Sequence, residues 1–368
     1  MKIDFLFAKN QYDSVTYFSK KLAEALRRHG ASVRLFSAEA DDFYHAFSAM
    51  CAAPPDFTCS FSDITINQQP FSQVWQIPHL HLAIDPVIYS LHQASGYISC
   101  VDQADLHFLQ KTGYKNSFFL PHAVDRDFVQ LPTLDKKIGL AFFGSCIDIK
   151  KVKASWKEKY CKQTRILFEK CIERFVHDST TTLLDLLLHE KVDGQKLPLF
   201  HAELDLYCRG WDRIQLLSQF EGLDLHIWGS GAWKEYIPTA NMHLPISFNQ
   251  ALEKMRACRF VLNSSIRFKH GSHERIFCAM AAGAICVTGN NDYIRQEFTD
   301  ELITYEHGDY RQVREKVQRI LKSPQQQETV AGAAKWLVEQ RHTFDARAHA
   351  LLGELESNLE TRYKPIKG

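Results

Sequence analysis

The feature that most constrains the fold is an alternation of short apolar runs with amphipathic helical stretches, which begins at the first residues. Residues 3–7 predict a strand, apolar residues recur at helical spacing over 15–26, and residues 32–36 predict a second strand. Gly30 is placed to end the helix between them. A strand, a helix and a second strand joined by one crossover form the opening of a parallel, Rossmann-like sheet.

The same alternation starts a second time after a break that is rich in proline and charge. The later predicted strands are 79–84, 97–101, 117–120, 138–143, 223–228, 259–262 and 284–288. Residues 121–137 separate the two series and are the predicted linker. Residues 150–220 show helical periodicity with few strand signals, so they predict a helical section inserted after the first strand of the second series.

The chain length agrees with two domains, because 368 residues exceed the usual size of one core. The sequence predicts an α/β protein with a Rossmann-like N-terminal domain at 1–130 and a Rossmann-like C-terminal domain at 138–342. The helical section 150–220 belongs to the second domain. A final helix within 343–368 is expected to pack back on the N-terminal domain.

Charge and composition exclude several classes of protein. Lys and Arg number 44 against 43 Asp and Glu, so no overall field would attract nucleic acid or an anionic membrane. No apolar run reaches the roughly 20 residues of a membrane span.

The ten cysteines form no C-x-x-C pair and several lie in apolar runs, which predicts buried, reduced thiols. The N-terminus lacks the features of a signal peptide, and a cytoplasmic protein is expected.

Polar residues and glycines gather where strands of the second domain end. The segments are Gly144-Ser145, Gly229-Ser230-Gly231, Asn263-Ser264-Ser265 and the basic run 267–275. Ligands of open parallel sheets bind at the carboxyl ends of strands, beside helix N-termini that attract anions. Small residues allow close approach of the backbone, and Arg267, Lys269, His273 and Arg275 add donors. A diphosphate is the ligand that such a group of residues suits.

Residues 260–298 resemble the C-terminal domain of CgeB-like bacterial glycosyltransferases, which are related to the two-domain GT-B sugar transferases. The matching parts are Leu262-Asn263, Arg275-Ile276-Phe277 and the A-x-A-A-G segment at 279–283. Weaker likeness extends to 84–86, 120–125, 142–145, 301–321 and 341–346, whereas 38–75 and 150–220 carry little of it.

The resemblance implies two Rossmann-like domains that face each other across a cleft. A nucleotide-diphosphate sugar would be held mainly by the second domain and the acceptor by the first. It also implies that no metal or other cofactor is needed, since basic side chains and a helix dipole neutralise the leaving diphosphate. Expected partners are the nucleotide sugar and an acceptor that is a glycan, a protein or a small molecule.

The resemblance also assigns candidate residues. Arg275 would bind the diphosphate, and Asp85 would act as base or orienting group beside the acceptor hydroxyl, with His122 as a second candidate. The predicted donor-binding residues are Gly144, Ser145, Gly229, Ser230, Gly231, Asn263, Arg267, Lys269, Ser272, His273 and Glu274. Asp85 also has a structural interpretation as a helix cap before Pro86, and His122 has one as a hinge residue.

One departure from the family pattern bears on activity. Relatives carry a Glu immediately before the A-x-A-A-G segment, where it accepts hydrogen bonds from the ribose, but this chain has Cys278. The companion acidic position is occupied by His270, and Glu274, one turn before Cys278, is the candidate substitute.

Two alternatives to a transferase follow. One is a sugar-nucleotide or partner-binding protein without turnover, and the other is a nucleotide-sugar epimerase, for which no carboxylate cluster is evident.

Overall fold

The computed structural model describes residues 1–61, 64–66, 69–75, 77–91 and 96–362. Its contacts divide the chain into two compact units. The first unit contains Met1–Gln130 together with the chain from Glu339 onward, and the second contains Leu131–Val338. The chain thus leaves the first unit once and returns to it for the last helix. No helix in the described ranges is long and apolar enough to cross a bilayer.

The first unit is built on a six-stranded parallel sheet with the order β2-β1-β3-β6-β7-β8, and β4 and β5 form a small antiparallel pair. The strands are β1 Lys2–Phe7, β2 Ser32–Ser37, β3 Phe57–Ser60, β4 Thr65–Ile66, β5 Gln69–Pro70, β6 His79–Ala83, β7 Tyr97–Cys100 and β8 Ser117–Phe119. The helices are α1 Ser14–Arg28, α2 Ala40–Ala52, α3 Phe71–Val74, α4 Gln103–Lys111, α5 Arg126–Val129 and α16 Phe344–Arg362.

The second unit is built on another six-stranded parallel sheet, with the order β11-β10-β9-β12-β13-β14. The strands are β9 Ile138–Phe143, β10 Leu225–Trp228, β11 Asn241–His243, β12 Cys258–Asn263, β13 Ile285–Gly289 and β14 Ile303–Tyr305. The helices are α6 Ile149–Lys159, α7 Lys162–His177, α8 Leu183–His189, α9 Leu197–Ser218, α10 Trp233–Tyr236, α11 Phe248–Arg256, α12 Glu274–Ala281, α13 Asp292–Glu297, α14 Val313–Leu321 and α15 Pro324–Arg341.

Strand order in the second unit defines where a ligand is expected. The chain moves outward from β9 to β10 and β11, then crosses back so that β12 pairs with the other side of β9. In sheets of this kind the crevice beyond the carboxyl ends of the two strands at the reversal is the usual binding site. Below it, Phe142, Ile227 and Leu262 belong to a core shared by the sheet and the helices on one face.

The cysteines follow the expectation from composition only in part. All ten are free thiols and seven are buried, but Cys51 and Cys161 are exposed and Cys146 is partly exposed. The prediction of buried thiols is therefore wrong for Cys51 and Cys161. Cys51 lies in α2 and Cys161 is the N-cap residue before α7, and the surrounding sequence indicated neither exposure.

Candidate functional site

The loops that follow β9 and β10 lie against each other at the carboxyl edge of the second sheet. The hydroxyls of Ser145 and Ser230 are 2.9 Å apart, and the Cys146 N–H donates to the Ser230 carbonyl at 2.8 Å. The residues that the sequence singled out after these two strands are thus brought together. The contact leaves a platform of backbone and hydroxyl groups at the point where strand order reverses.

Glycine at 229 allows this close approach. A Cβ at Gly229 would lie 2.0 Å from the Gly144 carbonyl oxygen, a distance that real Cβ atoms do not show. Gly231 has a φ of +93°, in the region that favours glycine. The sequence Gly-Ser-Gly is therefore required by the packing of the two loops.

Replacing Gly229 with alanine is expected to push the two loops apart. The clash is with backbone, which cannot rotate away, so the free energy of unfolding should fall by about 1–3 kcal/mol, as for other overpacked sites. Urea unfolding measures this effect. Gly194→Ala is the matched control because a Cβ there meets no atom within 4 Å. Equal stability of the two variants would contradict the packing interpretation.

Arg275 projects from the first turn of α12 towards the end of β12. Its Nη1 donates to Asn263 Oδ1 at 3.0 Å, and its guanidinium carbon lies 5.6 Å from the centre of the Phe142 ring. The Asn263 amide is oriented in turn by the hydrogen bond that it donates to Thr288 Oγ1 at 3.0 Å. Burial lowers the pKa of Arg275. A cation is therefore held, with its geometry fixed, at the end of β12.

Arg213 on α9 is the site residue that sequence reasoning missed. Its Nη1 donates to the Ser145 carbonyl at 2.7 Å, and its guanidinium carbon lies 6.0 Å from the Phe142 ring centre. Its Nε is buried without a hydrogen-bond partner. Burial, followed by the charges of Arg209, Arg275 and Arg267, lowers its pKa to about 9. The available signal was the charged positions 205, 209, 212 and 213, which interrupt an otherwise apolar helix.

The neighbouring Asp212 fixes α9 against the loop that follows β12. This carboxylate is fully buried and accepts from the hydroxyls of Ser264 at 2.6 Å and Tyr310 at 2.5 Å. Burial raises its pKa. Because Asp212 and Arg213 are adjacent on the helix, these bonds also fix the position of the Arg213 backbone.

The two arginines form no close ion pair, although the charge of Asp212 favours the charged form of Arg213 and the charge of Glu274 favours that of Arg275. Neither Arg213 nor Arg275 lies within 4 Å of a carboxylate oxygen in the part of the chain that the structure describes. Both guanidinium groups approach the ring of Phe142, and the charge of Arg275 contributes to the lowered pKa of Arg213. An anion bound between them would offset that repulsion. An arrangement of this kind can bind an anion.

The start of α12 adds further polar groups beside Arg275. The helix begins at Glu274 and its N-cap is His273, the residue after Ser272. Ser272 is 1% exposed, and its hydroxyl has no partner among the described groups. His273 Nδ1 lies 2.8 Å from Glu274 Oε2, and burial lowers the His273 pKa. These residues lie at the end of the helix where anions are favoured.

The structure gives the other two predicted cations a different role. Lys269 is fully buried; its Nζ donates to the carbonyls of Phe175 at 2.9 Å and Asp178 at 2.6 Å and lies over the Phe175 ring. Arg267 forms a two-bond ion pair with buried Asp205, at 2.8 and 2.6 Å. Lys269 therefore secures the end of α7, and Arg267 neutralises Asp205. Their assignment to the diphosphate is corrected accordingly.

The candidates of the first unit follow two of its strands. Asp85 is exposed, two residues after the end of β6, and the N-cap position of the short turn Val87–Tyr89 is Pro86. His122 is buried after β8, with its ring 6.3 Å from that of Phe18. Its carbonyl accepts from Arg347 of α16 at 2.9 Å. His122 lines a small cavity of about 20 Å³, and Asp85 faces solvent.

The family described as Glycosyl transferase-like matches residues 211–353. The matched segment includes Arg213, the loop after β10, the end of β12 and Arg275. No curated protein sequence matches the chain.

Solved structures resemble the whole chain. Sucrose-phosphate synthase from Thermosynechococcus elongatus is 11% identical with a TM-score of 0.59, and covers 98% of this chain and 99% of its own. Anabaena HepE in complex with UDP and glucose is 11% identical with a TM-score of 0.56, covering 97% and 100%. The glycosyltransferase AviGT4 is 12% identical with a TM-score of 0.56, covering 98% of each chain. The fold is GT-B.

Cys278 occupies the position at which the family pattern has the ribose-binding Glu. Cys278 is 1% exposed in α12, and burial raises the pKa of its thiol well above the usual value. His270 Nε2 lies 2.9 Å from the Thr180 carbonyl. Glu274 is half-buried one turn before Cys278. Cys278 therefore packs as an apolar core residue, and Glu274 is the carboxylate nearest in sequence to the start of α12.

Proposed function

We propose that the protein is a glycosyltransferase that moves a sugar, of hexose type, from a nucleotide-diphosphate donor to an acceptor hydroxyl. The observation that carries the proposal is the pair Arg213 and Arg275, two cations without a carboxylate partner at the strand-order reversal of the second sheet. The match of residues 211–353 to the Glycosyl transferase-like family supports it. The motif at 260–298 favours the CgeB-like group, and the free thiols favour a cytoplasmic location.

The proposed chemistry is stabilisation of the leaving nucleoside diphosphate. Negative charge develops on the diphosphate as the bond from its terminal oxygen to the anomeric carbon breaks. Two preorganised guanidinium groups, the Ser145–Ser230 platform and the start of α12 would stabilise that charge without a metal ion. Among the neighbours, HepE was solved with UDP-glucose and an α-glucosyltransferase with UDP, which makes a uridine nucleotide the first donor to test.

On the acceptor side we favour Asp85 over His122. Asp85 is exposed at the carboxyl end of β6, where a sugar or alcohol hydroxyl has access, whereas the imidazole of His122 is buried. A carboxylate in that position would orient the acceptor hydroxyl or accept its proton.

A binding protein without turnover is the second candidate, and Cys278 favours it. A buried thiol offers no strong acceptor for ribose hydroxyls, so the donor would lose the hydrogen bond that relatives supply. Binding to the diphosphate would remain. If Glu274 accepts the hydrogen bonds from the ribose hydroxyls in place of the missing Glu, the transferase is favoured over the binding protein.

The test is nucleotide release from UDP-, GDP-, dTDP- and ADP-sugars, measured beside the thermal shift caused by the same compounds. Release that Arg275→Ala abolishes supports the transferase. A thermal shift without release for any acceptor or for water supports the binding protein. Neither shift nor release with the whole panel would contradict both.

A further inference from the structure

A second cavity lies at the opposite edge of the sheet in the second unit. It has a volume of about 550 Å³, within the range of small-molecule pockets. It is lined by the segment before β9, by Arg259 at the start of β12, by Gly283 before β13 and Ile285 at its start, and by one face of α15. These are the amino ends of the strands, whereas Arg213 and Arg275 are at the carboxyl ends. The cavity is therefore separate from the proposed donor site.

The face of α15 towards this cavity is kept open by a small residue. Gly332 lies in the middle of the helix, where glycine is unfavourable, and a Cβ placed on it would meet no atom within 4 Å. Leu321, Ile285 and Ala331 provide apolar wall around it. The volume above Gly332 is therefore not used for packing, and any larger side chain would occupy it.

Three cations line the same cavity. Lys136 is half-buried and donates to the carbonyls of Arg256 at 2.9 Å and Ala282 at 2.8 Å, and Lys335 donates to the Leu131 carbonyl at 2.8 Å. Burial, with the charges of Lys335 and Arg256, lowers the pKa of Lys136 to about 8. Arg259 is exposed and forms no ion pair within the described ranges. The acidic lining residues, Asp135 and Glu328, are both solvent-exposed.

We infer that this cavity, with its wall of Lys136, Arg259 and Lys335 and the open helix face at Gly332, is a second ligand site for a small phosphorylated metabolite. A phosphomonoester carries up to two negative charges, which the three cations offset, and Arg259 presents the planar donor set that suits phosphate. The apolar wall and the space above Gly332 accommodate the carbon part of the ligand.

The test is calorimetric titration with ribose 5-phosphate, glycerol 3-phosphate and inorganic phosphate, with ribose as the uncharged control. We expect one of the phosphorylated probes to bind and ribose not to bind. Gly332→Leu, which fills the cavity, and Arg259→Met, which removes an exposed cation, should each weaken that binding by about tenfold or more. Gly353→Leu is the matched control because Gly353 is also helical with open space around its Cβ position, but lies in α16.

Arg213→Met separates this site from the donor site. Affinity for the phosphorylated probe should stay unchanged in that variant. If none of the three probes binds, if Gly332→Leu binds as tightly as the wild type, or if Arg213→Met abolishes binding, the inference is wrong. Thermal unfolding of Gly332→Leu and Gly353→Leu side by side shows whether a lost signal reflects lost fold.

Discussion

Replacing Arg213 with methionine is expected to lower kcat/KM for sugar transfer by about 100-fold or more without lowering the free energy of unfolding. A loss of activity of this size is typical when one preorganised, charged hydrogen-bond donor to a leaving group is removed. Methionine keeps an unbranched apolar stem beside Phe142, so the packing of α9 should persist. Nucleotide release at varied donor concentration measures the effect, and the thermal shift caused by UDP should shrink in parallel.

The free energy of unfolding of Arg213→Met should rise while its activity falls, because the charge of Arg213 is unfavourable in the folded state. Burial and three neighbouring arginines lower its pKa to about 9, from a value near 12.5 in the unfolded chain. The folded state therefore carries a penalty below pH 9, which diminishes as the pH rises from 9 towards 12.5. Urea unfolding at pH 7 should show the methionine variant at least as stable as the wild type, with a smaller difference at pH 10.

Arg314→Met is the control for this prediction. Arg314 also donates to backbone carbonyls, of Gln219 at 2.7 Å and Glu221 at 3.0 Å, but these precede β10 at the other edge of the sheet. Its removal should leave kcat/KM near the wild-type value. Wild-type transfer by the Arg213 variant would overturn the assignment of the donor site.

The strands of both sheets were predictable because their apolar runs are bounded by glycine and polar residues. The run at 138–143 coincides with β9, the run at 79–84 extends one residue beyond β6, and the run at 284–288 is shifted by one residue from β13. Of the strands in the two six-stranded sheets, β3, β11 and β14 were missed, since each has only three or four residues and no apolar run long enough to distinguish a strand from a loop.

The site was predictable only where its residues follow strands. The glycines and serines after β9 and β10 were selected by their position at strand ends, and Arg275 by its position at a helix start. Arg213 was not predictable, because its contact with Ser145 joins residues 68 apart and its own helix has no motif. Arg267 and Lys269 were misassigned for the same reason, since their partners lie 62 and 94 residues away. The sequence shows which residues are charged, but only the structure shows which group neutralises each charge.

Arg267→Met is expected to have the opposite effects to Arg213→Met. Its free energy of unfolding should fall by about 3 kcal/mol, and sugar transfer by the folded protein should change far less. Asp205 is 3% exposed, and Arg267 supplies two of its hydrogen bonds while Arg209 supplies one at 2.9 Å. Breaking a buried ion pair on one side leaves a poorly compensated charge and typically costs this much. Urea unfolding at pH 7 measures the change.

The pH dependence and a second substitution identify the cause. Burial would raise the pKa of Asp205, but Arg267 and Arg209 outweigh it and hold the pKa well below the usual range. The pair therefore stabilises the fold above about pH 4, the unfolded-state value, and this contribution is lost as the pH falls below it. The deficit of Arg267→Met should shrink over that range, and adding Asp205→Asn should recover part of it at pH 7. If instead Arg267→Met were fully stable but inactive, Arg267 would bind the diphosphate, as the sequence alone suggested.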